Sequence, residues 1–229
     1  MFDFGNKTVV VTGGAAGIGL AIAKAFLACG ANVVICDRHK SLLEKAARGI
    51  RKNVINQGRI LAITCDLSRE RDVSTLINKT LKEFSGLDIF VNNAGAWVYT
   101  PVESLKAKDI SNMINNNLVT TILGTKHAAR NMTKGGVIIN TGSFAGRMSR
   151  LGSSLYAAAK SGVEQFTRIS AAELASKNIR VNCIIPGVIK TSMTKIGIKK
   201  NKKELLRSIP MRRFGTPEEV ANAVLFLSS

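Results

Sequence analysis

Thr8-Val9-Val10-Val11-Thr12-Gly13-Gly14-Ala15-Ala16-Gly17-Ile18-Gly19 is the stretch from which the fold can be read. Thr8–Val11 is entirely β-branched, as suits a strand covered on both faces. Glycines 13, 14, 17 and 19 turn the chain tightly, and the alanine-rich segment that runs on to Gly30 has helix length. Strand, glycine turn and helix make the first part of a βαβ unit, and the rhythm repeats. Strand-like runs recur at Asn32–Cys36, Ile60–Thr64, Leu87–Val91, Val137–Asn140 and Ile179–Ile184. Helix-length segments lie between them, including Gly17–Gly30, Arg69–Phe84, Leu105–Asn131 and Ser154–Ser176. This alternation predicts an α/β fold built on a parallel sheet.

The 229 residues, 45% of them apolar, fit one compact domain spanning 1–229, and no repeat or Pro/Gly/Ser linker divides them. Residues 189–214 interrupt the rhythm with a polar, lysine-rich stretch that reads as an excursion or substrate lid. After it, Thr216 is a candidate N-cap, with Pro217 at the first helical position and Glu218-Glu219 in the first turn. No apolar run approaches the roughly 18 residues of a membrane span, and Met1–Lys7 has the look of neither a signal nor a transit peptide, so a cytoplasmic location is expected. Cys29, Cys36, Cys65 and Cys183 are scattered without metal-like spacing and are expected to be reduced, and His39 and His127 offer no ligand cluster.

The net charge of +18 is unevenly spread. Arg38–Arg59 holds seven Lys/Arg against Glu44 alone, and Lys190–Arg213 holds nine against Glu204 alone.

The glycine turn carries chemistry as well as shape. Backbone amides at a helix N-terminus, approached closely through glycine, suit the pyrophosphate of a dinucleotide. The second strand-like run ends in Asp37, 24 residues after Gly13, near the spacing at which a carboxylate accepts hydrogen bonds from an adenosine ribose. Asp37 would repel a 2′-phosphate and favours NAD over NADP, whereas Arg38 beside it could accept that phosphate. Ala15 and Ala16 add no cation inside the turn, and NAD is the expected cofactor.

Tyr156 and Lys160 are one helical turn apart, and Ser143 lies thirteen residues before the tyrosine. Together they supply a phenol to exchange a proton, an ammonium to make it acidic, and a hydroxyl to hold a substrate oxygen. Each residue alone has an ordinary structural reading, as strand-end hydroxyl, buried phenol or solvated helix charge. Lowering a tyrosine pKa by two to three units takes about 3–4 kcal/mol, which a nearby ammonium and an oxidised nicotinamide are expected to supply.

In this order, the glycine turn, Asn92-Asn93-Ala94-Gly95, Ser143, Tyr156-x-x-x-Lys160 and Pro186-Gly187 resemble the short-chain dehydrogenase/reductase family over nearly the whole chain. The resemblance implies a single Rossmann-type domain, a doubly wound parallel sheet of about seven strands between two helix layers. It implies an NAD(H)-dependent oxidoreductase that interconverts a secondary alcohol and a ketone by hydride transfer, with Tyr156 as acid/base. Asn117, Ser143, Tyr156 and Lys160 match the family's catalytic residues, although Asn115 and Asn116 leave the asparagine open to a register shift of one. Gly13, Gly17, Ile18, Gly19, Asp37 and Arg38 match its cofactor-binding positions. So do Asp66 and Leu67 beside adenine, the Asn93-Ala94-Gly95 loop, Pro186-Gly187, and Ile189 and Thr191 at the carboxamide. Tyr156 and Lys160 also contact the cofactor by this correspondence.

Two departures set this sequence apart. Family members continue about twenty residues beyond Ser229 into a last edge strand, so that strand is expected to be missing, which bears on formation of a homo-dimer or tetramer. The basic 189–214 stretch reads either as a solvated face or as a lid drawing in an anionic substrate. Lys134 and Lys177 match positions that are basic in 3-oxoacyl-(acyl carrier protein) reductases, which generally use NADPH, so an acyl thioester reductase is the alternative function. The pocket is expected near 96–100, 144–151 and the lid, with Trp97, Arg147, Met148 and Arg150 giving apolar and anion contacts. Non-enzyme alternatives are a dinucleotide-binding regulatory protein and a basic nucleic-acid binder. No nucleic-acid motif or aromatic series supports specific binding of the latter kind.

Overall fold

The computed structural model describes residues 2–53 and 58–229. In chain order the elements are β1 Thr8–Thr12, α1 Gly17–Ala28, β2 Asn32–Asp37, α2 Lys40–Asn53, β3 Ile60–Thr64, α3 Glu70–Phe84 and β4 Ile89–Asn92. There follow α4 Ala107–Ile114, α5 Thr120–Asn131, β5 Gly136–Thr141, α6 Ser154–Leu174, β6 Ile179–Ile184, α7 Lys195–Ser208 and α8 Pro217–Ser228. Among the described residues the sheet has six strands in the order β3-β2-β1-β4-β5-β6, every pair parallel.

Alternation along the strands divides the core into two layers. Val9 and Val11 of β1 and Val33 and Ile35 of β2 face α1, α2 and α8, joining Ile22, Phe26, Leu43, Ile50 and Val224. Val10, Val34 and Cys36 point to the opposite face, among Val73, Leu76 and Ile77 of α3 and Ala128 of α5. Both faces being covered explains why the central strands read as continuous apolar runs. The strand order reverses between β1 and β4, and at such a switch point the carboxyl ends of the strands part to leave a crevice.

The expected strands fall within two residues of the observed ones. The expected helix over 105–131 is instead three pieces: α4, a π-helical stretch at Asn115–Val119, and α5. Strands β3 and β6 stand at the two edges of the sheet. The 189–214 excursion leaves and returns at a single bridge, where Lys190 N donates to Gly215 O at 2.9 Å and Gly215 N donates to Val188 O at 3.0 Å. Between these ends α7 forms, kinked at Asn201. The predicted cap of α8 is present: Glu219 N donates to Thr216 Oγ1 at 3.4 Å, and Thr216 N donates to Glu219 Oε2 at 2.8 Å.

Candidate active site

The predicted residues meet at the carboxyl ends of the strands. Gly13 follows β1 with φ +63°, and a Cβ there would stand 3.0 Å from Ala94 Cα, so the turn and the loop after β4 touch through glycine. Gly17, Ile18 and Gly19 form the first turn of α1, whose N-cap, Ala16, supplies no side-chain cap and whose first turn holds no acid. The helix therefore presents its amides and positive dipole end to an anion. Thr191 closes over this end, its Cγ2 lying 3.2 Å from where a Cβ on Gly17 would sit. Ile189 is buried beside it, and Pro186 O accepts from Phe144 N at 3.1 Å, holding the loop after β6 against the loop after β5, with Gly187 exposed.

On the other side of the turn, a cavity of about 140 Å³ is lined by Gly13, Asp37, Arg38, Asp66, Leu67 and Gly95 among others. Asp37 ends β2 and its Oδ1 accepts from His39 N at 2.9 Å. Arg38 reaches across the cavity, its Nη1 donating to Asn116 Oδ1 at 3.2 Å. The Ser68 hydroxyl donates to Asp66 Oδ1 at 2.7 Å and holds that carboxyl below its usual range. The glycine turn, the uncapped helix end and the acids Asp37 and Asp66 fit a nicotinamide dinucleotide, whose pyrophosphate α1 could receive and whose adenosine this cavity could hold.

The catalytic candidates converge next to it. Tyr156 and Lys160 project from α6, and Ser143 follows β5, its Oγ accepting from Ala145 N at 3.2 Å. Lys160 is 3% exposed; its Nζ donates to Thr141 O at 2.8 Å and lies 5.7 Å from the centre of the Tyr156 ring. Of the three asparagines in the π-helical stretch, Asn117 is the buried one. Its Nδ2 donates to Ala96 O at 2.9 Å and Met113 O at 3.0 Å, while its Oδ1 accepts from Ala96 N at 3.3 Å. A Cβ on Gly95 would lie 2.7 Å from Asn117 Oδ1 and 3.4 Å from Lys160 Nζ, which places all three residues side by side. A π-bulge inserts one residue into the helix and turns the following side chains, which is how the register brings Asn117 inward.

Burial pushes the Tyr156 phenol above its ordinary range, with the Ser143 hydroxyl and the Arg150 guanidinium pulling it back. Burial lowers Lys160 to about 8, because its Nζ is out of water and faces a carbonyl rather than an anion. Arg147, expected to contact substrate, instead pairs with the buried Glu164 through Nη2 at 2.7 Å and Nε at 2.8 Å. Arg150 stacks 5.2 Å from the Trp97 ring centre, and Trp97 Nε1 donates to Ser153 Oγ at 3.2 Å, zipping the loop after β4 to the start of α6.

Two supporting groups escaped the sequence reading. Thr12 Oγ1 donates to Val91 O at 3.0 Å and accepts from Asn93 N at 2.8 Å and Ala94 N at 3.0 Å, so one hydroxyl shapes the Asn93-Ala94-Gly95 loop. Asn92 Nδ2 donates to Asn140 Oδ1 at 2.8 Å and Thr125 Oγ1 at 3.1 Å, and Asn140 Nδ2 donates to Thr167 Oγ1 at 2.9 Å. This buried ladder ties β4 and β5 to α5 and α6, the helices on either side of the site. The signal was in plain view, since asparagine near the end of an apolar strand needs a buried partner.

Known proteins agree with this architecture. A family model described as Enoyl-(Acyl carrier protein) reductase matches residues 13–229. A 3-oxoacyl-(acyl-carrier-protein) reductase of Chlamydia trachomatis is 39% identical over 98% of this chain and 90% of its own length. Among solved structures, a short-chain type dehydrogenase/reductase from Mycobacterium marinum superposes with a TM-score of 0.93 at 31% identity, over 100% of this chain and 90% of that one. A 7α-hydroxysteroid dehydrogenase complexed with NADH and 7-oxo glycochenodeoxycholic acid gives 0.93 at 32% identity, over 99% and 89%. This chain belongs to the short-chain dehydrogenase/reductase family. It is an oxidoreductase acting on CH–OH groups with a nicotinamide dinucleotide as hydride partner.

Proposed function

We propose that the protein reduces the C3 ketone of a 3-oxoacyl thioester to a secondary alcohol, using NADH. The observation that carries this reading is the 39% identity over 98% of the chain to the Chlamydia trachomatis 3-oxoacyl-(acyl-carrier-protein) reductase, with the Tyr156 phenol, raised by burial, as the proton donor. The substrate class is supported by the Chlamydia trachomatis relative and by exposed Lys134 and Lys177, which suit an acidic carrier. NADH is supported by Asp37 at the end of β2 and by the absence of a cation from Ala15 and Ala16. Asp37, Asp66 and the amides of Gly17–Gly19 hold the dinucleotide, and when bound it supplies the hydride.

Ser143 donates a hydrogen bond to the ketone oxygen and stabilises the charge that develops on it. Tyr156 transfers its proton to that oxygen as it becomes an alkoxide. Lys160, cationic below about pH 8, offsets the negative charge left on the phenolate. Asn117 fixes the loop at Ala96 that borders Lys160. A second reading, oxidation of a secondary alcohol with NAD, is supported by the likeness to the NADH-bound hydroxysteroid dehydrogenase.

The experiment is reduction of acetoacetyl coenzyme A followed by NADH absorbance, beside a panel of alcohols, polyols and steroids. Tyr156→Phe should abolish turnover while NADH still binds, and near wild-type turnover in that variant would sink the mechanism. A kcat/KM higher with NADPH than with NADH would overturn the use made of Asp37. Turnover confined to alcohols would favour the second reading.

A further inference from the structure

We propose that the groove between α1, α2 and α7 binds an anionic amphiphile, an acyl chain ending in a carboxylate or a phosphorylated group. The cavity is about 930 Å³, within the range of small-molecule sites and far larger than the adenosine cavity. Its walls are apolar, with Leu20 from α1, Leu42 and Ala46 from α2, and Ile198 from α7. Its rim carries Lys24, Lys45, Lys190, Lys195 and Lys199, and no carboxylate lines it among the described residues. None of these five ammonium groups enters an ion pair among the described residues; Glu44, the acid of α2, sits 4.0 Å from Lys40 instead.

The two features select one kind of occupant. Five cations outside any ion pair among the described residues, above low-dielectric walls, focus a positive potential into the groove, which favours an anion. The apolar walls add a chain to that anion, because each buried methylene contributes about 0.8 kcal/mol. A nucleotide fits poorly, since among the described residues the lining holds no aromatic ring, carboxylate or amide side chain to read a base. The acids that suit adenosine stand in the other cavity, across the glycine turn. The groove meets the proposed dinucleotide path only around Ala15–Gly17 and Thr191. An occupant whose head reaches that end competes with the pyrophosphate for the amides at the start of α1, so the amphiphile antagonises dinucleotide binding. This inference does not depend on which alcohol or ketone the enzyme turns over.

Binding is measured by displacement of a fluorescent fatty acid from the full chain in about 150 mM salt, which screens exposed charge over about 8 Å. Laurate and dodecyl phosphate present the two heads, and dodecanol presents the chain alone. One of the anionic ligands should bind at least about tenfold more tightly than dodecanol. A tighter laurate identifies a carboxylate head, a tighter dodecyl phosphate a phosphorylated one. Ala46→Trp, which fills the groove, and the double exchange Lys45→Glu with Lys199→Glu, which reverses rim charge, should each weaken binding about tenfold or more. Should Ala46→Trp fail to fold, the surface charge exchange decides alone. Dodecanol binding as tightly as both anions, or wild-type affinity in the charge exchange, would overturn the proposal. NADH affinity unchanged by saturating ligand would overturn the antagonism.

Discussion

Lys160→Met should alter stability in a way that depends on pH with a definite sign. Burial lowers the Lys160 pKa from 10.5 to about 8, so folding disfavours the charged ammonium relative to the unfolded chain. Between those values the unfolded chain keeps a proton that the folded chain has released, and stability rises with pH across the window. Below about 8 both states are protonated and the full penalty applies: about 2.5 pKa units, or about 3 kcal/mol. Methionine keeps the length of the side chain and removes the charge. It also removes the hydrogen bond to Thr141 O, a loss that is the same at every pH. The informative quantity is therefore the stability gap between variant and wild type, from urea unfolding at about pH 7 and about pH 10. It should move by about 2–3 kcal/mol in favour of wild type as pH rises, or about 5–10 °C in Tm. Titration of the other lysines and tyrosines affects both proteins and cancels. A gap constant to within about 0.5 kcal/mol would refute the claim that a desolvated ammonium is held there.

The remaining predictions concern the supports of the site. Thr12→Val leaves the Asn93 and Ala94 amides without their acceptor and should cost about 1–3 kcal/mol in urea unfolding, while KM for the dinucleotide rises more than kcat falls. Arg147→Met strands the buried Glu164 carboxylate and should cost about 1–3 kcal/mol, and adding Glu164→Met should recover most of that loss in a double-mutant cycle. Thr216→Ala removes the cap of α8 and should cost about 1 kcal/mol, with kinetics unchanged.

The fold was legible because its signals are local and periodic. Buried β-branched runs such as Thr8–Val11, glycine turns and the Thr216-Pro217 cap each reflect a backbone requirement that a few adjacent residues satisfy. Recognition of the site rested on spacing, and spacing does place Tyr156, Lys160, Ser143 and Asn117 together. What it could not supply was environment. Whether Lys160 lowers the phenol pKa depends on burial and on where Nζ points, and both come from β5 and its Thr141 carbonyl, nineteen residues away. Arg147 looked like an anion contact because its partner, Glu164, is on the next helix and reads as surface charge until α6 packs. The π-helical turn at Asn115–Val119 was hidden for a similar reason: three consecutive asparagines carry no periodicity from which to predict one extra residue per turn.

Burial of Lys160 links stability to the proposed chemistry. The same low-dielectric surroundings raise the phenol and lower the ammonium, so both groups are driven toward neutrality before any ligand arrives. A neutral phenol is the donor that ketone reduction requires, and the phenolate left after transfer is the anion that a half-destabilised ammonium lacks. In the proposed reduction the attraction within the pair therefore grows as the proton leaves the phenol, and is stronger in the transition state than in the ground state. A phenol already acidified in the resting enzyme would have forfeited that difference, because an interaction formed before the transition state lowers no barrier. Moving Lys160 toward water would accordingly relieve the folded protein of its penalty and weaken the step, which is why the ammonium is expected at this depth.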